Sequence, residues 1–208
     1  MDGTLIRGSS CNIELARVLG KVEEFRALDA LFVAGHIDSP EYARRAYAMW
    51  SSLTEDVVAS AFDSAPWLTG IVEVWADITA RGEYCAVISL SPSFFVGRLR
   101  RWGVHEVRAS QFPEVPFPVG TRFCDVGVLD ATSKVVFADE LCAAYGLTRG
   151  DCVAYGDSMS DAALFAAIPT SVSVNGDHHV NGLATHSYSG GDLREAYGLV
   201  CDIRAAMI

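Results

Sequence analysis

The sequence predicts an α/β fold, in which a parallel sheet forms the core and an all-helical segment is inserted near the N-terminus. Residues 11–83 repeat apolar side chains every three or four positions, which is the spacing of amphipathic helices. From residue 84 onward, short apolar runs alternate with helical stretches, as in parallel sheets with helices on their faces. We therefore expect a core formed by residues 1–10 and 84–208, and a helical cap formed by residues 11–83.

The inserted segment contains five predicted helices, over residues 12–19, 22–33, 41–53, 55–62 and 71–80. Gly20 and Gly35 are suitable helix ends, because glycine readily adopts the left-handed conformation of a C-cap. Ser39-Pro40-Glu41 offers a capping serine followed by proline at the first helical position, and Thr54 offers another cap. The cap is therefore predicted from both periodicity and helix ends.

Three short strands are predicted in the core, over residues 84–88, 152–155 and 170–174. The first two are each followed by a predicted helix, over residues 92–102 and 161–167. This repetition of strand and helix is the basis for expecting parallel strands.

Residues 112–133 break the alternation. Their first part is rich in proline, at Pro113, Pro116 and Pro118. We expect the following stretch, residues 122–129, to form a β-hairpin beside the core.

Charge and composition exclude several classes of function. The 208 residues include 26 acidic and 16 basic side chains, for a net charge of −10. This balance argues against binding to nucleic acids and to anionic membranes, which both require a basic surface. No run approaches 18 apolar residues, and the first residues carry no secretion signal, so we expect no membrane span and no export. The six cysteines show no Cys-x-x-Cys spacing, which favours a reduced, cytoplasmic protein.

Polar residues follow the predicted strands where functional side chains gather in open parallel sheets. Ser89 ends the first strand, and Asp157 follows the second, with Asp161 four residues further on. Lys134, one of only two lysines in the chain, stands near the start of a helix before that second strand. Less specific interpretations stay open: Asp157 and Asp161 as helix-capping acids, Ser89 as a turn residue and Lys134 as a surface lysine.

The segments Asp2-Gly3-Thr4, Ser89, Lys134 and Gly156-Asp157-Ser158-Met159-Ser160-Asp161 resemble, in this order, the four motifs of the haloacid dehalogenase superfamily. The run Ser89-Leu90-Ser91-Pro92 and the helical insertion resemble its phosphoserine-phosphatase-like branch. The resemblance implies hydrolysis of a small phosphomonoester through an aspartyl-phosphate, with Mg²⁺ as cofactor. It implies a HAD-like fold and a small phosphorylated metabolite as partner, and leaves the oligomeric state open.

The resemblance also assigns roles to individual residues. It implies that Asp157 binds the metal, that Asp161 binds a metal water or orients the loop, and that the backbone carbonyl of Asp2 is a further ligand. The Asp2 side chain would act as general acid and base. Ser89 and Lys134 would bind the phosphoryl group, and the backbone amides of Gly3 and Thr4 would also donate hydrogen bonds to it.

Substrate recognition is less well defined by the resemblance. In phosphoserine phosphatases a glutamate recognises the substrate amine, and the matching position in this chain is Ser9. Arg44 or Arg45 corresponds to the arginine that pairs with the substrate carboxylate, with Arg45 the preferred candidate. Because Ser9 cannot replace a glutamate, a neutral or larger phosphomonoester fits this chain at least as well as phosphoserine.

The first motif departs from the family pattern at its start. The family has Asp-x-Asp-Gly-Thr, where the first Asp is the nucleophile, and Met1 occupies the x position. The nucleophile and the first core strand would therefore precede Met1, and we expect the natural start to lie upstream. The alternative is a relative that binds a phosphorylated ligand without hydrolysing it. A nucleotide-binding Rossmann enzyme is disfavoured, because no Gly-x-Gly-x-x-Gly follows a strand.

Overall fold

The computed structural model describes residues 1–118, 120, 122–180 and 182–206. It has the expected α/β architecture, with parallel sheets and a helical region that follows residue 10. The helical region contains five helices: α1 (Cys11–Leu19), α2 (Val22–Val33), α3 (Ser39–Met49), α4 (Glu55–Ser64) and α5 (Ile71–Ala80). None of the described helices is long and apolar enough to cross a membrane.

The helix ends follow the local chemistry closely. Gly20 ends α1 in the left-handed conformation, and the Thr54 side chain accepts a hydrogen bond from the backbone N–H at the start of α4. The cap of α3 is one residue earlier than predicted, because Asp38 accepts the hydrogen bond from the Glu41 N–H at 2.9 Å. Ser39 is therefore the first residue of the helix.

Across the described residues, the strands form two separate parallel sheets. The first pairs β1 (Ala86–Pro92) with β2 (Glu106–Ser110), and the second has the order β3 (Val153–Gly156), β4 (Thr170–Val174) and β5 (His186–Tyr188). The remaining helices are α6 (Ser93–Val96), α7 (Ala131–Tyr145), α8 (Ala162–Ala167) and α9 (Leu193–Ala206). The strand β1 continues past Ser89, and its register against β2 shifts between Ser89 and Pro92. This irregular end brings Ser91 towards the N-terminal residues.

The N-terminal residues lie against the carboxyl ends of both sheets. The Ser91 hydroxyl, at the end of β1, donates a hydrogen bond to the Asp2 carboxylate. The Thr4 hydroxyl donates to Asp157, which follows β3, at 2.6 Å. Within the described residues, β1 and β3 are not hydrogen-bonded to each other, so this N-terminal turn bridges the two sheets.

One hydrophobic core continues from the helical region into the sheets. Trp50 is central to it: its indole stacks on Phe25 of α2 at a centroid distance of 5.4 Å. The same indole meets Phe94 and Phe112 edge-on at 5.7 and 5.6 Å. Rings from both parts of the chain therefore share one packed cluster, which fixes the helical region over the sheet edge.

The fifth helix packs with the core rather than with the first four helices. The Tyr197 hydroxyl of α9 donates to Asp77 of α5 at 2.9 Å, and Thr69 bridges to Asp192 just before α9. The segment before α1 also pairs with the segment between α4 and α5, through the isolated bridge of Ile6 and Trp67. We propose on these contacts that the cap, predicted as residues 11–83, ends before α5.

The predicted β-hairpin at 122–129 is wrong: the described residues of this stretch form turns and irregular backbone. Two residues of the wider excursion, Val119 and Thr121, lie outside the described part. The preceding prolines cannot donate to a strand ladder, and aromatic packing replaces it. Phe117 and Phe123 both lie on the Tyr47 ring of α3, at centroid distances of 4.5 and 5.2 Å. The segment is therefore held by the cap.

Candidate active site

Residues of three of the four predicted motifs are in direct contact. The first motif contacts the fourth through Thr4 and Asp157, and the third contacts the fourth through Lys134 and Asp161. The second motif joins indirectly: the Ser89 hydroxyl accepts the backbone N–H of Ser91 at 3.2 Å, and Ser91 bonds to Asp2. The residues of the four predicted motifs thus form one continuous network at the carboxyl ends of β1 and β3.

Close approach at Gly3 depends on the absence of a side chain. Gly3 has φ +69°, and a Cβ built there would lie 2.0 Å from Oδ2 of Asp157. Glycine adopts this conformation without steric cost, whereas other residues rarely do. The Thr4 hydroxyl fixes the other carboxylate oxygen, Oδ1, at 2.6 Å. The Asp-Gly-Thr sequence therefore forms a cradle that fits around the Asp157 carboxylate.

Lys134 and Asp161 form a buried ion pair. The Lys134 Nζ donates to Oδ1 of Asp161 at 2.6 Å and to the Ser160 hydroxyl at 2.9 Å, and both charged residues are only 5% exposed. Oδ2 of Asp161 accepts the backbone N–H groups of Asp157 and Ser158 at 3.0 and 3.3 Å. These contacts argue against a surface lysine and a solvated acid at these two positions. They hold the loop that presents Asp157.

Asp2 links the site to the helical cap. Its Oδ1 accepts the backbone N–H of Cys11, the first residue of α1, at 2.7 Å, while its other oxygen accepts the Ser91 hydroxyl. Both carboxylate oxygens therefore have fixed partners, one from the cap and one from β1. Ser91 belongs to the run Ser89-Leu90-Ser91-Pro92, but the family resemblance predicts no role for it.

The two carboxylates of the fourth motif have opposite electrostatic environments. Burial raises the pKa of Asp157 to about 6, although the N-terminal ammonium and the Thr4 hydrogen bond partly offset this. Burial is also the largest influence on Asp161, but the charge and hydrogen bond of Lys134, the N-terminal ammonium and the backbone hydrogen bond together outweigh it and lower the pKa of that carboxyl. Of the two carboxylates, Asp157 is therefore the one that forms no ion pair with a described basic side chain.

The donor set at this point fits a Mg²⁺ ion only in part. Asp157 offers a carboxylate, and carboxylate oxygens are hard ligands of the kind that Mg²⁺ prefers. Among the residues that the structure describes, however, no group of three His, Cys, Asp or Glu side chains is placed to hold a metal ion. Asp161 is already bound to Lys134 and two amides, so Asp157 is the side chain best suited to direct coordination.

Ser9 and Arg45, which were predicted to contact the substrate, are paired with acidic residues of the cap instead. The Ser9 hydroxyl donates to Glu14 of α1. Arg45 pairs with Glu41 at 2.7 Å, one helical turn away, and Arg44 pairs with Glu41 and with Asp125. Ser9, Arg44 and Arg45 do not line the cavity whose wall contains Asp2 and Ser91.

A cavity of about 320 Å³ lies between the cap and the ends of the strands, with Asp2 and Ser91 in its wall. Its lining is mostly apolar, and it also contains Tyr42 and Asp29, a carboxylate for which the sequence motifs predict no role. A signal for Asp29 was present: it lies four residues after the buried Phe25, on the apolar stripe of α2. A carboxylate at such a position suggests a functional role.

Comparison with known proteins agrees with this geometry. The sequence profile of the haloacid dehalogenase-like hydrolases matches residues 1–166. A search among curated proteins returned no match. A substrate-bound phosphoserine phosphatase complex is similar in structure, with 20% identity, coverage of 96% of this chain and 94% of that one, and a TM-score of 0.79.

Two other solved structures are similarly close in fold. A phospho-aspartyl intermediate analogue of phosphoserine phosphatase has 20% identity, coverage of 96% and 95%, and a TM-score of 0.79. A HAD family hydrolase from Salmonella enterica subsp. enterica serovar Typhi has 21% identity, coverage of 90% and 65%, and a TM-score of 0.81. These likenesses concern the fold, while the profile match identifies the family. The chain belongs to the haloacid dehalogenase-like hydrolases.

Proposed function

We propose that this chain is the framework of a Mg²⁺-dependent phosphatase that hydrolyses a small phosphomonoester through an aspartyl-phosphate. The observation that carries the proposal is the contact of the Asp-Gly-Thr turn with Asp157, backed by the buried pair of Lys134 and Asp161. In this proposal Lys134 supplies positive charge, Asp157 is the metal ligand and the turn binds the anion. Phosphoryl transfer requires mainly such positioning and charge neutralisation.

The nucleophile is proposed to be an aspartate that directly precedes Met1. The amino group of Met1 is near enough to Asp157 and Asp161 for its charge to lower the pKa of both carboxyls. A residue attached to that amino group would enter the same space, with an extended chain between β1 and β3. Its carboxylate would then face a phosphoryl group bound by Lys134 and the backbone amide of Thr4. The Gly3 amide, also predicted to bind phosphate, instead donates to the Ser9 carbonyl at 3.1 Å.

Asp2 is suited to general acid and base catalysis because both of its oxygens are held at defined positions. In the first step, Asp2 would donate a proton to the leaving alkoxide as the nucleophile attacks phosphorus. In the second, it would take a proton from the water that hydrolyses the aspartyl-phosphate. Ser89 would donate its hydroxyl to a phosphoryl oxygen, and Lys134 would neutralise negative charge.

Asp157, the backbone carbonyl of Asp2 and the nucleophile would hold the Mg²⁺ ion. When bound, the ion supplies positive charge that neutralises the phosphate and polarises its oxygens. Asp161 would act through its hydrogen bonds to the Asp157 loop. The alternative function, binding of a phosphorylated ligand without turnover, applies to a chain in which Met1 takes the place before Asp2.

The test is phosphate release from 4-nitrophenyl phosphate and from a panel of phosphorylated metabolites. The chain is extended in front of Met1 by a short β-branched run that ends in Asp, and the matched control has the same run ending in Asn. We expect Mg²⁺-dependent hydrolysis by the first, and roughly 10⁶-fold less by the second and by the unextended chain. Equal activity with Asp and Asn, or hydrolysis that persists in chelator, would contradict the proposal.

A further inference from the structure

The cavity beside Asp2 has an unusual charge balance for a site that receives an anionic substrate. Two carboxylates line it, Asp2 at the catalytic end and Asp29 on the cap. Among the described residues, no lysine or arginine lines it. The rest of its wall is mainly apolar and includes the aromatic residues Phe32, Tyr42, Trp50 and Phe112.

Asp29 is held in a fixed position by a chain of hydrogen bonds. The Asn12 side-chain amide donates to the Tyr42 hydroxyl at 2.7 Å, and that hydroxyl donates to Oδ1 of Asp29 at 2.6 Å. The Tyr42 phenol keeps its proton, because burial and the nearby Asp29 charge raise its pKa far above the usual range. The three side chains come from α1, α2 and α3, so the carboxylate is rigidly presented to the cavity.

The second oxygen of Asp29 has no hydrogen-bond partner among the described residues, and no basic side chain pairs with this carboxylate. Burial and the charge of Asp2 raise the pKa of Asp29, and the Tyr42 hydrogen bond offsets this only partly. A partly buried carboxylate without a counter-charge is costly, and the cost falls when a cation binds. A ligand can supply that cation.

Building on the proposed function, we propose that Asp29 selects phosphomonoesters whose alcohol part carries a protonated amine beside an apolar body. The amine would donate to the free oxygen of Asp29, and the apolar body would lie against the aromatic wall. Aromatic faces also attract cations, which favours an ammonium group over a neutral one. A carboxylate on the alcohol part would meet two like charges and no partner, so phosphoserine itself is a poor fit.

Three aryl phosphates that differ only in one group test this inference: 4-(aminomethyl)phenyl, 4-(hydroxymethyl)phenyl and 4-carboxyphenyl phosphate. Their dissociation constants are measured by isothermal titration calorimetry on the 208-residue chain with Mg²⁺ present. A hydrogen bond to a charged partner corresponds to a factor of about 10 to 100, so we expect the amine to bind that much more tightly than the alcohol. The carboxylate should bind most weakly.

The variant Asp29→Asn removes the charge but can still accept the Tyr42 hydrogen bond, so the amine should then bind like the alcohol. Glu24→Gln, an exposed position on the same helix, is the matched control and should leave the preference unchanged. Equal binding of all three compounds, no binding of any, or a preference that survives in Asp29→Asn would each overturn the inference. An amine preference in binding, combined with no phosphate release from the extended chain, would support the inference and contradict only the proposed phosphatase function.

Discussion

Replacing Asp157 by Asn should stabilise the metal-free chain above pH 6. The Asp157 carboxyl is mostly buried against Gly3 and lacks a cationic side chain, so its ionised form is unfavourable in the folded state. Asparagine has nearly the same shape, carries no charge and can still accept the Thr4 hydrogen bond. The substitution therefore removes the cost of the charge and leaves the local packing in place.

The size of the effect follows from the pKa of Asp157. A rise from the ordinary value of 3.8 to about 6 corresponds to about 3 kcal/mol of folding free energy. Because the folded-state pKa is raised, this contribution is fully present below the unfolded-state value and is lost as pH rises through about 6. Between pH 4 and pH 7 the wild-type chain should thus lose up to about 3 kcal/mol relative to Asp157→Asn.

The assay is urea denaturation of both chains from pH 4 to pH 8, in chelator and then in excess Mg²⁺. Without metal, the two chains should match near pH 4, and the variant should be more stable at pH 7.5. With Mg²⁺ at a hundredfold excess over its dissociation constant, the wild-type chain should gain about 2.7 kcal/mol and the variant much less. The difference in stability between the two chains should therefore become smaller or change sign when metal is added.

Asp161→Asn is the control with the opposite sign. Lys134 lowers the pKa of Asp161, so the stabilisation from this carboxylate is present above its unfolded-state pKa and is lost as pH falls. This variant should be less stable than the wild-type chain at pH 7.5. If Asp157→Asn is also less stable at that pH in chelator, the assignment of Asp157 as the uncompensated carboxylate is refuted.

Two further substitutions test the contacts around these carboxylates, each by urea denaturation in chelator. Gly3→Ala should destabilise the chain by more than about 2 kcal/mol, because it adds backbone strain of about 1–2 kcal/mol and a clash with Asp157. Gly8→Ala is the control, since Gly8 has a similar φ of +63° but lies in open space, and it should show the strain alone. Equal losses of stability in the two variants would exclude the clash. Lys134→Met should cost about 3–5 kcal/mol because it leaves Asp161 buried without its partner, and a loss below 1 kcal/mol would show that the ion pair is not buried as described.

Most of the fold could be predicted because its signals are local. The cap helices show clear periodicity and good caps, such as Thr54 before α4. The two strands that the sequence interpretation missed have weaker signals: β2 is a short, half-polar strand, and β5 has only the three residues His186–Tyr188. Both pair at sheet edges, where tertiary contacts outweigh local preference. The hairpin prediction failed for a related reason, since the aromatic contacts of that segment involve a distant helix.

The sequence could predict the site residues only where they stand in ordered motifs. Lys134, Asp157 and Asp161 were identifiable from their places after or before strands, and the structure brings them into one network. Asp29 has only a weaker signal, its place on the apolar stripe of α2. Its contact with Tyr42 could not be predicted, because the two residues are 13 positions apart on different helices and meet only through the packing of the cap. Likewise, the sequence could not show that Arg45 binds Glu41 one helical turn away and does not line the cavity.

The bridging position of the first four residues has a practical consequence for anyone who produces this protein. Because this turn bonds to Ser91 on one sheet and to Asp157 beside the other, residues added in front of it emerge between the two sheets. An affinity tag fused directly there would compete for the space that the proposed nucleophile and its strand require. Purification handles therefore belong at the carboxyl end, beyond α9, where they leave this junction intact.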